Sequence, residues 1–334
     1  MTASRRAVPG IAAVRAGHAP PRSETGAGLA TRDGEVTMAG PGVRPPALSD
    51  RPHTATLRVD GREVARYVWQ PDLPLAMSPR PYLHPVRTLG GSTVTDAGPD
   101  SHRHQFGISI AAPDVGGRNF WGGRTFVAGH GPAWLDNHGI QHHQRWLRHT
   151  TDELAHQLRW ADAHGAALLH ELRTIACRPL GETAWALTTH TRLTNATGGP
   201  LTIRSPAAQG RPGAGYGGFF WRGAAVDSAH ILSPAGADVR SVHGGTADWL
   251  AVTGVTGGGM WTVLFTPGDE TTARDRWFVR ARDYLGVGSS LTWDEPLVLG
   301  PDEAIERRLV IAVVDGPLAP AAAAALADSA RQAP

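Results

Sequence analysis

The chain of 334 residues has no lysine, and all 32 of its basic residues are arginine. Schiff-base catalysis needs a lysine amine and a P-loop needs a lysine at the phosphates, so both are excluded. Cysteine is almost as scarce. Cys177 stands alone, which rules out an intrachain disulfide and a cysteine-based zinc site. Its neighbours Ile175 and Ala176 suggest a buried strand and a core thiol. No apolar run approaches the roughly 18 residues of a membrane span. Arg5-Arg6 is followed by no apolar segment, so neither a secretory nor a twin-arginine signal is read, and the expected location is the cytoplasm. The net charge is only +2, with acids and arginines interspersed. No basic stripe would neutralise a run of phosphates, so neither nucleic acid nor a membrane is an expected partner. The oligomeric state is not legible.

Long helical periodicity is also missing. Gly 41 and Pro 26 exceed average usage and imply many turns. Residues 1–50, rich in Ala, Gly, Pro and Arg, have no periodicity and are expected to be a disordered extension. Met38 stands near its end as an alternative start. From residue 51 a single domain is expected. Thr54–Val59 and Arg62–Trp69 flank Asp60-Gly61, a two-residue hairpin signal. Gln105–Ala112 follows, and then four long strand candidates: Gly139–Thr150, Glu153–Ala161, Ala166–Arg178 and Thr183–Asn195. Later candidates are Leu201–Ser205, Gly217–Arg222, Trp249–Thr253, Met260–Thr266, Trp277–Arg280 and Ile305–Val314. The Ala-rich tail from Pro317 to Ala330 reads as a helix able to cap a sheet edge. The expected fold is therefore all-β, a large antiparallel β-sandwich with a short C-terminal helix. No fixed-period repeat supports a propeller or solenoid.

Histidine is concentrated in one place: 11 of 16 lie between His84 and His170. They begin in Arg80-Pro-Tyr82-Leu-His84-Pro-Val-Arg87 and Asp100-Ser-His102-Arg-His104-Gln105. If the second run is extended, His102 and His104 share a face. Such a pair suits proton transfer beside Asp100, or a metal. Cupin-type sites add a Glu about four residues on, where this chain has Ile108. No metal and no cofactor are expected, and His84, His102 and His104 are the ligands if a metal binds. Prolines 81 and 85 stiffen the loop that carries Arg80, Tyr82, His84 and Arg87, a set suited to an oxygen-rich ligand. On the strand after Asn137, His138, His142 and Trp146 should share one face, with Gln141, His143 and Arg145 on the other. Glu171, an acid inside a long strand, is a candidate base.

Tryptophan is used heavily, 11 against four tyrosines. The runs Gly215-Tyr-Gly-Gly-Phe-Phe-Trp221-Arg222, Arg276-Trp277-Phe-Val-Arg280 and Trp293-Asp-Glu295-Pro interleave aromatic faces with charge. Indole faces stack on sugar C–H surfaces, while arginine, histidine and carboxylate bind hydroxyls. Gly213-Ala-Gly-Tyr-Gly-Gly218 matches GxGxxG literally, but an aromatic strand pattern follows it and no helix, so it reads as a loop. No Gly-x-Ser-x-Gly elbow is present.

The Arg80–Arg87 run, Asp100-x-His102-x-His104, Asn119-Phe-Trp121-Gly-Gly123, Asn137-His138-Gly139, Tyr216–Arg222 and Trp293–Pro296 together resemble the PmoA-like family. These are bacterial proteins, some labelled methane oxygenase, and the resemblance spans residues 54–315. Relatives carry Asp-His-x-His-His, whereas Ser101 and Gln105 here replace the second Asp and the third His. The label itself belongs to a subunit of membrane-spanning helices, which this chain lacks. The resemblance implies a galactose-mutarotase-like supersandwich, on which a His acid and a Glu or Asp base act on sugars. The expected function is thus a carbohydrate-active enzyme of the isomerase, epimerase or glycoside-processing kind, with a small sugar as its partner. His102 or His104 would move the proton, with Glu171, Asp100 or Glu295 as the complementary carboxylate. Arg80, Tyr82, His84, Arg87, Trp121, His138, Trp221, Arg222, Trp277 and Glu295 would contact the sugar. Two alternatives stand beside it: a metal-dependent oxygenase using His84, His102 and His104, with His138 as a further candidate ligand, and a non-catalytic carbohydrate-binding protein.

Overall fold

Alternation of apolar and polar residues becomes paired strand throughout the computed structural model, which describes residues 53–332. The extension expected over residues 1–50 lies outside them. Asp60 and Gly61 both take positive φ, 49° and 78°, and close the hairpin between Thr54–Val59 and Arg62–Val68. The right-handed twist of paired strands demands that turn.

One antiparallel sheet of seven strands runs in the order Thr54–Val59, Arg62–Val68, Tyr82–Val86, Ile108–Ala111, Gly218–Arg222, Gly286–Ser290, Arg276–Arg280. A second, of eight, runs Ala229–Leu232, Leu250–Thr256, Gly259–Pro267, Ala304–Asp315, Ala184–Asn195, Ala167–Pro179, Glu153–Ala161, Ile140–His149. Their inner faces form one core. Trp221 of the first sheet meets Trp261 of the second edge-to-face with centroids 6.3 Å apart, and Phe219 meets Phe265 at 6.1 Å. The expected sandwich is therefore present. Among the described residues no helix is long and apolar enough to cross a membrane.

The strand Ala304–Asp315 explains where the tail goes. Ile311 and Val313 point into the core, while Ala312 and Val314 point outward yet are equally buried. Ala323 and Ala327 of the helix Pro320–Arg331 cover that outer face. Methyl side chains allow the helix to lie close, so it covers the middle of the sheet and does not cap an edge as expected.

The strand Gly286–Ser290 was not legible from pattern because it lacks alternating apolar residues. It is glycine-rich for lack of room: a Cβ at Gly288 would sit 3.0 Å from the Phe219 carbonyl oxygen. In Ile140–His149, register shifts between His143 and Arg145 and between Trp146 and Arg148 break the period of two. His143 and Trp146, expected on opposite faces, pack together with ring centroids 4.9 Å apart.

Candidate functional site

Asp100–His102 forms a single 3-10 turn, so His102 and His104 are not neighbours along an extended strand as expected. The turn closes on itself: His102 N–H donates to Pro99 O, Gln105 N–H to His102 O, and Gly98 N–H to Gln105 O. Both imidazoles still reach one place, with ring centroids 6.1 Å apart. They line a cleft of about 590 Å³.

A second loop shapes the floor. Asn119 accepts from the backbone N–H groups of Trp121 and Gly122 and donates to Gly123 O and Thr125 Oγ1. His138 Nε2 donates to Gly123 O at 2.8 Å. Gly122 and Gly123 have φ of 92° and 69°, and a Cβ on Gly123 would lie 2.8 Å from His104 Nδ1. The His104 ring rests on this glycine pair, so a side chain there would displace it. Trp121 is set against Tyr216 at 4.6 Å and Phe220 at 4.8 Å, and reaches the cleft.

Arg80 ties the two loops together from beneath. It is 1% exposed and donates to the carbonyls of Met77, Ser78, Trp121 and His104 and to Ser109 Oγ. Burial, with the neighbouring charge of Arg173, pushes its pKa down to about 9, which leaves a cation at neutral pH. All three guanidinium nitrogens are engaged beneath the loops, and the side chain is not among those lining the cleft, so Arg80 positions the site.

Burial and surrounding cations also keep the imidazoles neutral. His104 falls to about 3, through desolvation first and then Arg80, His102 and Arg222. His102 is lowered by desolvation and Arg222, against an opposing pull from Asp283. A neutral imidazole offers both a donor and an acceptor nitrogen. Arg222, itself 6% exposed, donates to Gln105 Oε1 at 2.8 Å and lies over the Tyr284 ring at 4.7 Å. It thereby fixes two residues that line the cleft, and His102 packs on Tyr284 at 4.7 Å.

Of the expected site residues, Asp100, His102, His104 and Trp121 line the cleft, while His138 and Arg222 do not line it but hydrogen-bond Gly123 and Gln105, which do. The others do not reach it. Glu171 is buried, its carboxylate accepting from Arg173 Nε and Nη2, Trp160 Nε1 and Thr191 Oγ1. With four donors and no solvent, it is a core counter-ion out of reach of the cleft. Trp221 and Trp277 are 0% and 2% exposed, in the core between the sheets. Tyr82 stacks on Phe106 in the interior. His84 Nδ1 meets Thr95 Oγ1 at 2.9 Å, and burial drops its pKa to about 4. The backbone carbonyl of Arg87 receives the Trp185 indole N–H, and the Arg87 side chain lies away from the cleft. Glu295 sits on an exposed loop whose carbonyl binds Thr292. His84, His102 and His104 do not converge, and no group of three His, Cys, Asp or Glu among the described residues is placed to hold a metal.

The cleft also contains Arg124, Trp134, Arg211, Asp283 and Tyr284, which pattern reading did not single out. Arg280-Ala-Arg-Asp283-Tyr284 continues the interleaving of aromatic and charged residues that begins at Arg276. Trp134 follows the short strand Gly131–Ala133, which pairs with Thr125–Val127, and is 60% exposed at the cleft. Only the fold brings that ribbon here.

The family model for DUF6807, a family of unknown function, matches residues 54–328. Membership of the PmoA-like family is not shown. No curated protein matches the chain's sequence. Among solved structures, the chain is similar to a "putative aldose 1-epimerase" from Escherichia coli K12, at 12% identity and a TM-score of 0.40 over 78% of this chain and 98% of that one. It is also similar to the alpha-galactosidase from Lactobacillus brevis, at 9% identity and a TM-score of 0.41 over 79% of this chain and 39% of that one. At these values neither likeness carries an activity across. The chain belongs to the family DUF6807.

Proposed function

We propose that this member of the family is a carbohydrate-active enzyme on a galactose-mutarotase-like sandwich, with the cleft as its sugar site. The observation that supports it is the combination within one cleft. Trp121, Trp134 and Tyr216 supply aromatic faces beside the neutral imidazoles of His102 and His104, with arginines around them. Aromatic faces pack on the C–H side of a pyranose, and the imidazole and guanidinium groups meet its hydroxyls.

The protonation states favour one direction of transfer. A neutral imidazole accepts a proton from a sugar hydroxyl, and the nearby guanidinium groups stabilise the negative charge that develops on oxygen. His102 is the more accessible of the two and is the proposed base; His104 holds a hydroxyl. Asp283 and Asp100 are the carboxylates available to complement it, in place of Glu171 and Glu295.

One observation favours a non-catalytic reading of the same cleft. Both lining carboxylates are exposed, and Asp100 pairs with Arg103 at 3.1 Å, so neither is held against an imidazole. Titration calorimetry and NMR-detected anomer or epimer exchange on a monosaccharide panel distinguish the two. Turnover lost in His102→Ala supports the enzyme. Binding without turnover supports the binding protein. No binding by any sugar, or binding untouched by Trp121→Ala, refutes both.

A further inference from the structure

The charges around the cleft are unequal. Four arginines, Arg103, Arg124, Arg211 and Arg280, line it against two carboxylates, Asp100 and Asp283. Asp100 is already spent on Arg103. Arg124, Arg211 and Arg280 make no ion pair with a carboxylate among the described residues. Two enclosed guanidinium groups elsewhere in the fold are paired with carboxylates, Arg173 with Glu171 and Arg307 with Asp275, whereas buried Arg80 is held by carbonyls.

Arg280 is the most informative of the three. It is half-buried, lies over the Phe278 ring at 4.4 Å, and donates to Val279 O at 3.0 Å and Gly213 O at 3.3 Å. These contacts fix the guanidinium at the cleft and leave its charge unneutralised. A partly desolvated cation gains most from an anion that arrives with the ligand, because its own desolvation has already been met in folding. Arg211, exposed, lines the same cleft with Tyr216, close enough for its charge to act on the phenol, and presents a second fork there. Because His102 and His104 are neutral, the excess charge rests on the arginines.

Resting on the carbohydrate reading above, we infer that the ligand is an anionic sugar, carrying a carboxylate or a phosphate that Arg280 and Arg211 receive. Planar forks match both groups bidentately. The test is calorimetric titration of the full chain with matched ligands: neutral hexoses, the corresponding uronates, the corresponding hexose 6-phosphates, and inorganic phosphate and acetate as anions without a sugar. The anionic sugars should bind at least about tenfold more tightly than the neutral hexose of the same configuration. That ratio should fall as salt rises from ~50 to ~200 mM and approach one in Arg280→Gln. The uronate and phosphate arms identify which anion is bound. Equal or tighter binding of the neutral hexose overturns the inference and leaves the carbohydrate reading standing. Binding of phosphate or acetate with no sugar bound overturns the sugar and keeps the anion site. A ratio unchanged in Arg280→Gln, with Arg211→Gln also without effect, overturns the assignment of these arginines. Failure of every ligand overturns both.

Discussion

Replacing Arg80 with methionine keeps much of the side-chain volume and removes the guanidinium. The wild-type group makes five hydrogen bonds, to Met77 O, Ser78 O, Trp121 O, His104 O and Ser109 Oγ, at 2.8–3.3 Å. Each buried acceptor left unpaired costs ~1–3 kcal/mol. Two effects run the other way. The variant no longer buries a cation beside Arg173, and the bonds to Met77 and His104 lie where water can reach. The net loss should be about 3 kcal/mol, from the low end of that range over several acceptors less the relieved desolvation. Urea unfolding followed by circular dichroism measures it, as a lowered midpoint at unchanged slope. Arg80→Lys should recover only part of the loss, because an ammonium cannot reach five acceptors in the fork geometry. A loss under about 0.5 kcal/mol would refute the clamp and return Arg80 to the cleft as a ligand contact.

Gly123→Ala should cost about 1–2 kcal/mol, because its φ of 69° disfavours a side chain. It should also move the His104 imidazole resonances, whereas Gly117→Ala, strained at 82° with nothing near its Cβ, should leave them in place. Three enclosed imidazoles have folded pKa values below the unfolded value of 6.5: His84 at about 4, His104 at about 3 and His156 at about 2. Between those values and 6.5 the unfolded chain binds more protons, so their contribution is fully present above pH 6.5 and declines as pH falls. Denaturation midpoints should therefore drop between pH 6.5 and 4.5, less steeply in His104→Asn; a flat profile would contradict the neutral imidazoles. Cys177, buried with its thiol donating to Arg58 O at 3.3 Å, is pushed up to about 12 and should resist a disulfide-exchange reagent until the chain unfolds. Labelling at the speed of a free thiol would place it at the surface.

The strand framework was legible because period-two burial is a local property: a residue's face follows from its neighbours once one sheet face is dry. Thus Glu153–Ala161 begins and ends where its alternation does, and Asp60-Gly61 announces its own turn. Chemistry-bearing segments were legible as well. The loops around His102 and Trp121 stand out by composition, and both reach the cleft. Which face each side chain presents was not. Arg80, Glu171 and Trp221 have the residue types of a binding site, and burial made them a clamp, a counter-ion and core. Arg124, Trp134 and Arg211 are ordinary surface residues in sequence. They become a site only because loops from distant parts of the chain close around one cleft. Alternation along a strand is decided over a few residues. The sharing of solvent, charge and space among loops a hundred residues apart is decided only by the packing of the two sheets.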